Sequence, residues 1–353
     1  MNNSNFDFLI RSDTSIINAM KLMDSIMRKL LIVIDENRYI GLLSLGDIQR
    51  AIINNHTFSA PVSTIMRNDY IVAKPNQVVE EIKRLMLKLR AEFMPVVNDD
   101  NYLVHVYFWS DLFGNAKKEP LFKFNLPVVI MAGGKGSRMQ PLTNVIPKPL
   151  IPINEKTIVE DIMDRFVEFG CNQFYFSVNY KADMIRYYFN TLNNSNYQIH
   201  FFQEDKPMGT AGSLSLLKEK IQKTFFVSNC DILIDQDYSE ILDYHKKNGN
   251  IITVVAALKH IPVAYGTIKT GENGHLLELI EKPEITLKIN SGMYILEPYV
   301  LNEIPEDEFF HITHLIEKIK IRGGKVGVFP ISENSWQDIG EWKEYLKLIM
   351  PTY

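Results

Sequence analysis

The sequence predicts an α/β protein in two parts: a small α/β unit present in two copies, then a larger sheet with crossover helices. Three observations carry this. Val128-Val129-Ile130-Met131, a short apolar run, leads into Ala132-Gly133-Gly134-Lys135-Gly136-Ser137-Arg138-Met139, the pattern of a buried strand entering a loop where backbone must approach something closely. A helix pattern and another strand come after that loop, the β-loop-α-β order of a sheet with crossover helices. Ahead of it, in residues 1–115, one order of helix, strand, turn and strand occurs twice.

Size and composition bound the answer. At 353 residues, 46% hydrophobic and 23% charged, the chain is ordinary globular protein with room for two or three domains. Its net charge of -4 gives no polycationic surface, so nucleic acid is not expected as a partner. Cys171 and Cys230 are the only cysteines, without Cys-x-x-Cys or a His cluster at zinc spacing, which disfavours a disulfide scaffold or zinc site. Met1-Asn2-Asn3-Ser4-Asn5 lacks a signal pattern and no run reaches the ~18 apolar residues of a membrane helix. The expectation is a cytoplasmic protein with no membrane partner.

In the first copy of the repeat, Ile16 to Met23 has helical spacing, Leu30 to Ile34 is a strand, Asp35-Glu36-Asn37 a turn and Tyr39 to Leu43 a second strand. In the second copy, Val78 to Met86 is the helix, Met94 to Val97 the strand, Asn98 to Asn101 the turn and Tyr102 to Phe108 the returning strand. Residues 114–124, broken by Pro120, read as a linker. The expected domains are 1–58, 59–115 and 125–353, with 116–124 between the last two.

The glycine loop cradles phosphates in this reading. Turn N–H groups left bare at Gly133, Gly134 and Gly136 form an anion nest, and Arg138 and Lys148 add fixed charge. Pro147 and Pro149 hold Lys148 on a stiff segment. A Walker loop is excluded because Gly136 follows Lys135, and a dinucleotide fingerprint because Met139 stands where a third glycine is needed. Downstream, Thr157-x-x-Glu160 is a capping box opening a helix with Ile158, Val159, Ile162, Met163, Phe166 and Val167 on one face, and Gln173 to Val178 is a strand. His200 to Leu214 is a strand turning through Pro207 and Gly209 into a helix, Thr224 to Asp231 a buried strand delivering an acidic residue, and Asp235 and Asp237 are caps for a helix near Tyr238.

Gly-Gly-x-Gly-Ser-Arg-Met-x-Pro-Leu-Thr followed by Pro-Lys-Pro resembles the signature of the sugar-1-phosphate nucleotidyltransferases, with Ser137 where most members carry Thr. The resemblance implies a Rossmann-like mixed sheet and assigns roles along the chain. Ala132, Gly133, Gly134, Gly136 and Ser137 would bind the nucleotide phosphates. Gln203 to Gly212 is similar to the family's Glu-x-x-Pro-Leu-Gly-Thr-Ala-Gly motif, so Gln203, Gly209, Thr210 and Ala211 become base contacts. Asp231 matches a metal-binding aspartate, with Cys230 in place of a glycine and read as packing rather than a thiol nucleophile. Ala264 to Thr267 and Glu278 to Pro283 resemble elements facing the sugar phosphate, giving Gly266, Glu281 and Lys282, and Asn290-Ser291-Gly292 adds Asn290. Trp336-Gln337-Asp338-Ile339-Gly340 resembles a motif supplying the second metal ligand, Asp338, with Glu341 and Trp342 replacing Thr and Pro and a helix from Glu341 to Met350. Aspartates 231 and 338 would hold Mg²⁺, and Arg138, Lys148 and Lys282 would be catalytic.

The repeated unit is similar to a tandem pair of cystathionine-β-synthase-type (CBS) domains, which implies an adenine nucleotide as partner and a homo-oligomer. In its first copy, Gly41, Ser44 and Asp47 stand at the family's ligand positions, where the hydroxyl meets phosphate and the Asp meets ribose. Asp47 as a cap of the helix beginning at Ile48 explains the same letters. The second copy departs, with Phe108 at the hydroxyl position and His105 where glycine should be. A CBS pair ahead of a short nucleotidyltransferase resembles the bacterial guanylyltransferases of the legionaminic acid pathway, which implies GTP and glucosamine-1-phosphate as substrates. Mannose-1-phosphate guanylyl transfer, and a non-catalytic sensor of NDP-sugars, stand as alternatives.

Overall fold

The structure, a computed structural model, describes residues 7–114, 119–192 and 194–349; the expectations for Met1 to Asn5, for residues 115–118 and for Met350 lie outside them. The chain divides into two compact units, 1–119 and 120–353.

In the first unit both copies form as expected. Helix Ile16–Ser25 begins at a cap where Ser15 Oγ accepts from Asn18 N–H. Strands Leu30–Asp35 and Arg38–Ser44 pair antiparallel, and Leu9–Arg11 adds a parallel third strand. The second copy repeats this with helix Val79–Leu89 and the antiparallel pair Phe93–Val97 and Leu103–Phe108, its third strand reduced to a parallel bridge between Ala73 and Val96. Phe108 stands where a ligand hydroxyl would be, but its ring packs on Phe8 and Phe93 at 5.3 and 5.9 Å, with the Arg28 guanidinium 4.4 Å above it. That position is taken up by packing, half-buried against these rings.

The second unit is built on a seven-stranded sheet. In spatial order its strands are Gln198–Gln203, Gln173–Val178, Val128–Met131, Phe225–Asn229, Glu284–Leu296, Ile252–Pro262 and Val326–Ile331. All neighbours are parallel except the two pairings of Glu284–Leu296. The sheet is therefore mixed, with a parallel half of Rossmann order. Val128–Met131 has no exposed residue, which is why it reads as an unbroken apolar run. From it the chain builds outward on one side through Gln173–Val178 and Gln198–Gln203, then returns to Phe225–Asn229 on the other. The crevice beyond the carboxyl ends of Val128–Met131 and Phe225–Asn229 is the topological switch point, where open α/β sheets hold their ligands.

Helix Ile158–Glu168 covers one face of this sheet, opened by the capping box of Thr157 and Glu160 and burying Ile158, Val159, Ile162, Met163 and Phe166 as the spacing predicts. Asp237 caps helix Tyr238–Lys247 by accepting from Ser239 N–H at 3.0 Å. The second unit begins at Pro120, so Phe122 and Phe124, within the stretch read as linker, pack against its core. Phe124 stacks on Phe226 at 5.5 Å, and Phe226 meets Phe166 edge-on at 5.3 Å. Two glycine-poor strands, Ile252–Pro262 and Glu284–Leu296, run on beyond the sheet as a hairpin whose far end carries a small ribbon, Thr267–Thr270 paired with Leu276–Ile280. Among the described residues no helix is long and apolar enough to cross a membrane.

Phe226 is fully buried at the meeting point of these rings. Phe226→Ala should cost about 3–5 kcal/mol, the usual loss for deleting a buried ring. Denaturant unfolding followed by tryptophan fluorescence measures it, and a loss under 1 kcal/mol would mean that the aromatic layer is not the keystone of this unit.

Candidate active site

The glycine loop leaves Val128–Met131 at the switch point. Ala132 N–H still donates to Ser177 at 2.9 Å, and the loop then turns through Gly136, whose φ of 64° is left-handed. A Cβ on Gly136 would lie 2.9 Å from Thr143 Cγ2 and 3.1 Å from Lys148 Cβ, so glycine is required for the loop to fold onto the lysine stem. The Thr143 hydroxyl closes the turn on the Gly136 carbonyl at 2.9 Å.

Lys148, only 8% exposed, forms an ion pair with Asp231, also 8% exposed, at the end of strand Phe225–Asn229. Asp338 arrives from the other direction. Ile232–Ile234 and Trp336–Asp338 form a short antiparallel ribbon, and Ile339 N–H donates to the Asp231 carbonyl at 2.8 Å. The chain then passes Gly340, where a Cβ would stand 2.6 Å from Asp338 Oδ1, 2.9 Å from Asp231 Oδ2 and 2.9 Å from Lys148 Nζ. Two carboxylates and one ammonium thus crowd against one piece of bare backbone. Burial raises the Asp338 pKa and the charge of Asp231 adds to it, opposed by the Gly340 N–H and the cations Arg138 and Lys148. Cys230 beside them is buried and its thiol is pushed up to about 12, chiefly by burial, so no thiolate forms there.

Arg138 lies on the solvent side, pairing with Glu341 at 3.1 Å while both side chains are more than half exposed. Such pairs are worth at most about 1 kcal/mol, so the guanidinium is free to exchange Glu341 for an anion of higher charge. Trp342 Nε1 donates to the Gln140 carbonyl at 2.8 Å, tying helix Trp342–Ile349 to the loop. The departures at Glu341 and Trp342 thus stitch the last motif to the first, and the helix starts at Trp342.

The turn after Gln198–Gln203 is organised by Glu204, the glutamate that opens the motif there but to which the sequence assigns no role. It is 6% exposed and accepts from the Ser177 hydroxyl and from Met208 N–H, both at 2.8 Å. A Cβ on Gly133 would come within 3.1 Å of Glu204 Oε1, so the glycine loop and this turn abut. Gly209 N-terminal to Thr210 packs on the Phe310 carbonyl, Ala211 N–H donates to that carbonyl at 2.9 Å, and the Thr210 hydroxyl accepts from Ile312 N–H at 3.0 Å. Of the four expected base contacts, Ala211 is buried and its N–H spent, while Gln203 and Thr210 remain exposed.

Gly266, Glu281 and Lys282 group together beyond the hairpin, where Glu281 Oε2 lies 3.0 Å from the Cβ position of Gly266. Among the described residues, neither Glu281 nor Lys282 bonds to the Asp231–Asp338 centre. Asn290 lies nearer the sheet, its amide donating to the Tyr294 hydroxyl at 2.7 Å, and Gly292 beside it abuts the Asn229 amide. In the first unit Gly41, Ser44 and Asp47 all have structural partners. Gly41 is pressed against the Arg67 carbonyl, while Ser44 and Asp47 form a capping box at 2.6 Å, with Asp47 held as well by Arg50 and by Arg67 Nε at 2.7 Å. The helix begins at Leu45, not Ile48, and its N-cap is Ser44; Asp47 sits one turn inside and answers the Ser44 N–H, so it serves the cap without being it.

Among the described residues no group of three or more His, Cys, Asp or Glu side chains could hold a metal. A cation at Asp231 and Asp338 would complete its shell with oxygens from substrate. Two hard carboxylates beside the glycine loop suit a small divalent ion of that kind.

Residues 127–352 match the family model described as nucleotidyl transferase, and residues 7–54 and 62–116 match the CBS domain model. The chain is 31% identical over 230 residues to the mannose-1-phosphate guanylyltransferase catalytic subunit beta of Drosophila pseudoobscura pseudoobscura, covering 62% of this chain and 60% of that protein. It is 29% identical over 242 residues to the UTP–glucose-1-phosphate uridylyltransferase of Synechocystis sp., covering 64% and 62%. The chain thus spans about three-fifths of the length of these curated relatives. Among solved structures, HddC from Yersinia pseudotuberculosis complexed with GMP-PN is 26% identical, covers 65% of this chain and all of that one, and superposes with a TM-score of 0.51.

The raised pKa of Asp338 has a sign that can be tested. The folded state binds this proton more tightly than the unfolded chain, so stability is lost as pH rises through the unfolded and then the folded value. In chelator at pH 8, Asp338→Asn should melt higher than the parent, with the difference shrinking as the pH falls toward the ordinary carboxylate value near 3.8. A lower melting temperature at pH 8 would show that the carboxylate is not under strain.

Proposed function

The chain belongs to the nucleotidyl transferase family, and from that premise we propose that it transfers a nucleotidyl group, guanylyl from GTP, to a hexose-1-phosphate, releasing pyrophosphate and forming an NDP-sugar. One observation carries the reading: Lys148, Asp231 and Asp338 converge on Gly340 beside a glycine loop at the switch point of the sheet. Guanine is supported by the guanylyltransferases among the relatives and by the GMP-PN complex of HddC. The sugar is glucosamine-1-phosphate on the resemblance of the whole architecture, and mannose-1-phosphate on the names of the relatives.

The reaction is in-line attack of a sugar phosphate oxygen on the α-phosphorus, with the P–O bond to pyrophosphate breaking and no covalent intermediate. Bare N–H groups at Gly133, Gly134, Gly136 and Ser137 bind the triphosphate, and Ala132, whose own N–H is held by Ser177, sets the start of that loop. Arg138 leaves Glu341 for the β- and γ-phosphates and neutralises the charge that develops on the departing pyrophosphate. Lys148 moves between Asp231 and the α-phosphoryl oxygen, and Lys282 holds the attacking phosphate while Gly266, Glu281 and Asn290 orient its sugar. Asp231 and Asp338 would hold Mg²⁺, which would supply Lewis-acid neutralisation of the phosphoryl oxygens. Gln203, Gly209 and Thr210 line the base, with Ala211 acting through packing. We read the CBS pair as a regulatory and self-associating module that takes an adenine nucleotide at Gly41, Ser44 and Asp47, its phosphates drawing Arg50 and Arg67 off Asp47.

Pyrophosphate release with Mg²⁺, crossing the five common nucleoside triphosphates against glucosamine-, mannose-, glucose- and N-acetylglucosamine-1-phosphate, with and without AMP or ATP, tests the reading directly. Turnover is expected with GTP and one aminosugar or mannose phosphate, and silence across the grid overturns it. Arg138→Ala should lower kcat by about 10²-fold with the melting temperature unchanged. Full activity in that variant would remove Arg138 from the catalytic set.

A further inference from the structure

Gln203 ends its strand with an exposed side chain, and one partner decides which end of its amide faces outward. Arg186, on helix Ala182–Leu192, donates from Nη2 to Gln203 Oε1 at 2.9 Å. The guanidinium is itself steered by two further contacts: Asp183 one turn earlier at 3.5 Å, and the Phe201 ring, whose centroid is 5.9 Å from Cζ. Its side chain is 34% exposed.

A guanidinium offers five N–H donors, no acceptor, and a charge that is never lost in water. Whichever way an amide is drawn, beside such a group it must turn its oxygen inward. No acceptor among the described residues takes the Gln203 amide N–H groups, so they face outward. Without Arg186 the amide could turn over at little cost and present an acceptor instead.

We propose that Arg186 is a specificity-determining residue: by holding Gln203 Oε1 it turns the Gln203 amide N–H groups outward, and these select a base carrying a carbonyl oxygen and reject one carrying an amino group at the same edge. Guanine, with its O6, and uracil or thymine, with O4, satisfy the outward N–H groups. Adenine and cytosine set an amino donor against them and leave both unpaired. This rests on the reading of Gln203 as a base contact. Discrimination among the carbonyl-bearing bases lies with other residues of the pocket.

The test compares the parent with Arg186→Met, which keeps a stem of similar reach over Phe201 without donors, and with Gln203→Ala and Gln203→Glu. The readout is kcat/KM for all five nucleoside triphosphates, with melting temperatures alongside. Arg186→Met should lower the ratio of GTP to ATP by about 10-fold, the usual worth of a hydrogen bond to a charged group. In Gln203→Glu the carboxylate, held by Arg186, offers only acceptors and should shift preference toward amino-bearing bases. An unchanged ratio in Arg186→Met, or an equal loss for every nucleotide, overturns the proposal. If Gln203→Ala then still disturbs nucleotide preference, the base pocket stands without Arg186. If Gln203→Ala changes nothing either, the placement of the base at Gln203 falls with it.

Discussion

The buried ion pair of Lys148 and Asp231 is the interaction on which the second unit turns. Two opposite charges at 8% exposure are each tolerable only because of the other, since an unpaired charge at that depth would cost several kcal/mol. The pair joins segments that are 83 residues apart, the proline-stiffened stretch after the glycine loop and the end of the strand next to it. Asp338 adds a second carboxylate to the same spot, so the centre holds one ammonium against two acids. Burial raises the Asp338 pKa and the neighbouring Asp231 charge adds to it, while the Gly340 N–H and the cations Arg138 and Lys148 hold the rise in check. The surrounding details, Ile339 bonded to the Asp231 carbonyl, bare backbone at Gly340 and Trp342 fastened to Gln140, all hold an arrangement that would otherwise spring apart.

Much of this was legible in the letters, for physical reasons that differ by element. Val128–Met131 announces itself because a strand buried on both faces must be apolar throughout, and the Thr157 capping box because its two hydrogen bonds span three residues. Asp231 and Asp338 could be paired only through order of motifs, because the ribbon that unites them joins segments about a hundred residues apart. Arg186 was invisible as a functional residue, and Glu204 showed only as the first letter of its motif, with no role attached. Each acts through partners distant in the chain, Ser177 in one case and Gln203 in the other, which no local pattern announces.

Resemblance also tells less than it seems to when a side chain has two employers. Asp47 and Thr210 both sit at positions a family reserves for ligand, yet here one closes a capping box and the other supports the entry to helix Ile312–Ile321. Neither is disqualified, because a hydroxyl has a second lone pair and a carboxylate four acceptor sites. What changes is the energetic starting point. A ligand at Asp47 must displace Arg50 or Arg67 before it gains anything, whereas one at Gln203 meets N–H groups that were never committed.

The long hairpin from Ile252 to Leu296 gives its own end of the second unit a mechanical character unlike that of the glycine loop. Its root is clamped between two strands of the sheet, while residues 263–283 hang from the free end of the ribbon. A pair of hydrogen-bonded strands resists stretching far better than bending, and the register shift between Val254 and Ala256 puts a natural crease close to the clamp. Gly266, Glu281 and Lys282 are thereby mounted together on a cantilever, so that any bending at the crease displaces all three positions at once.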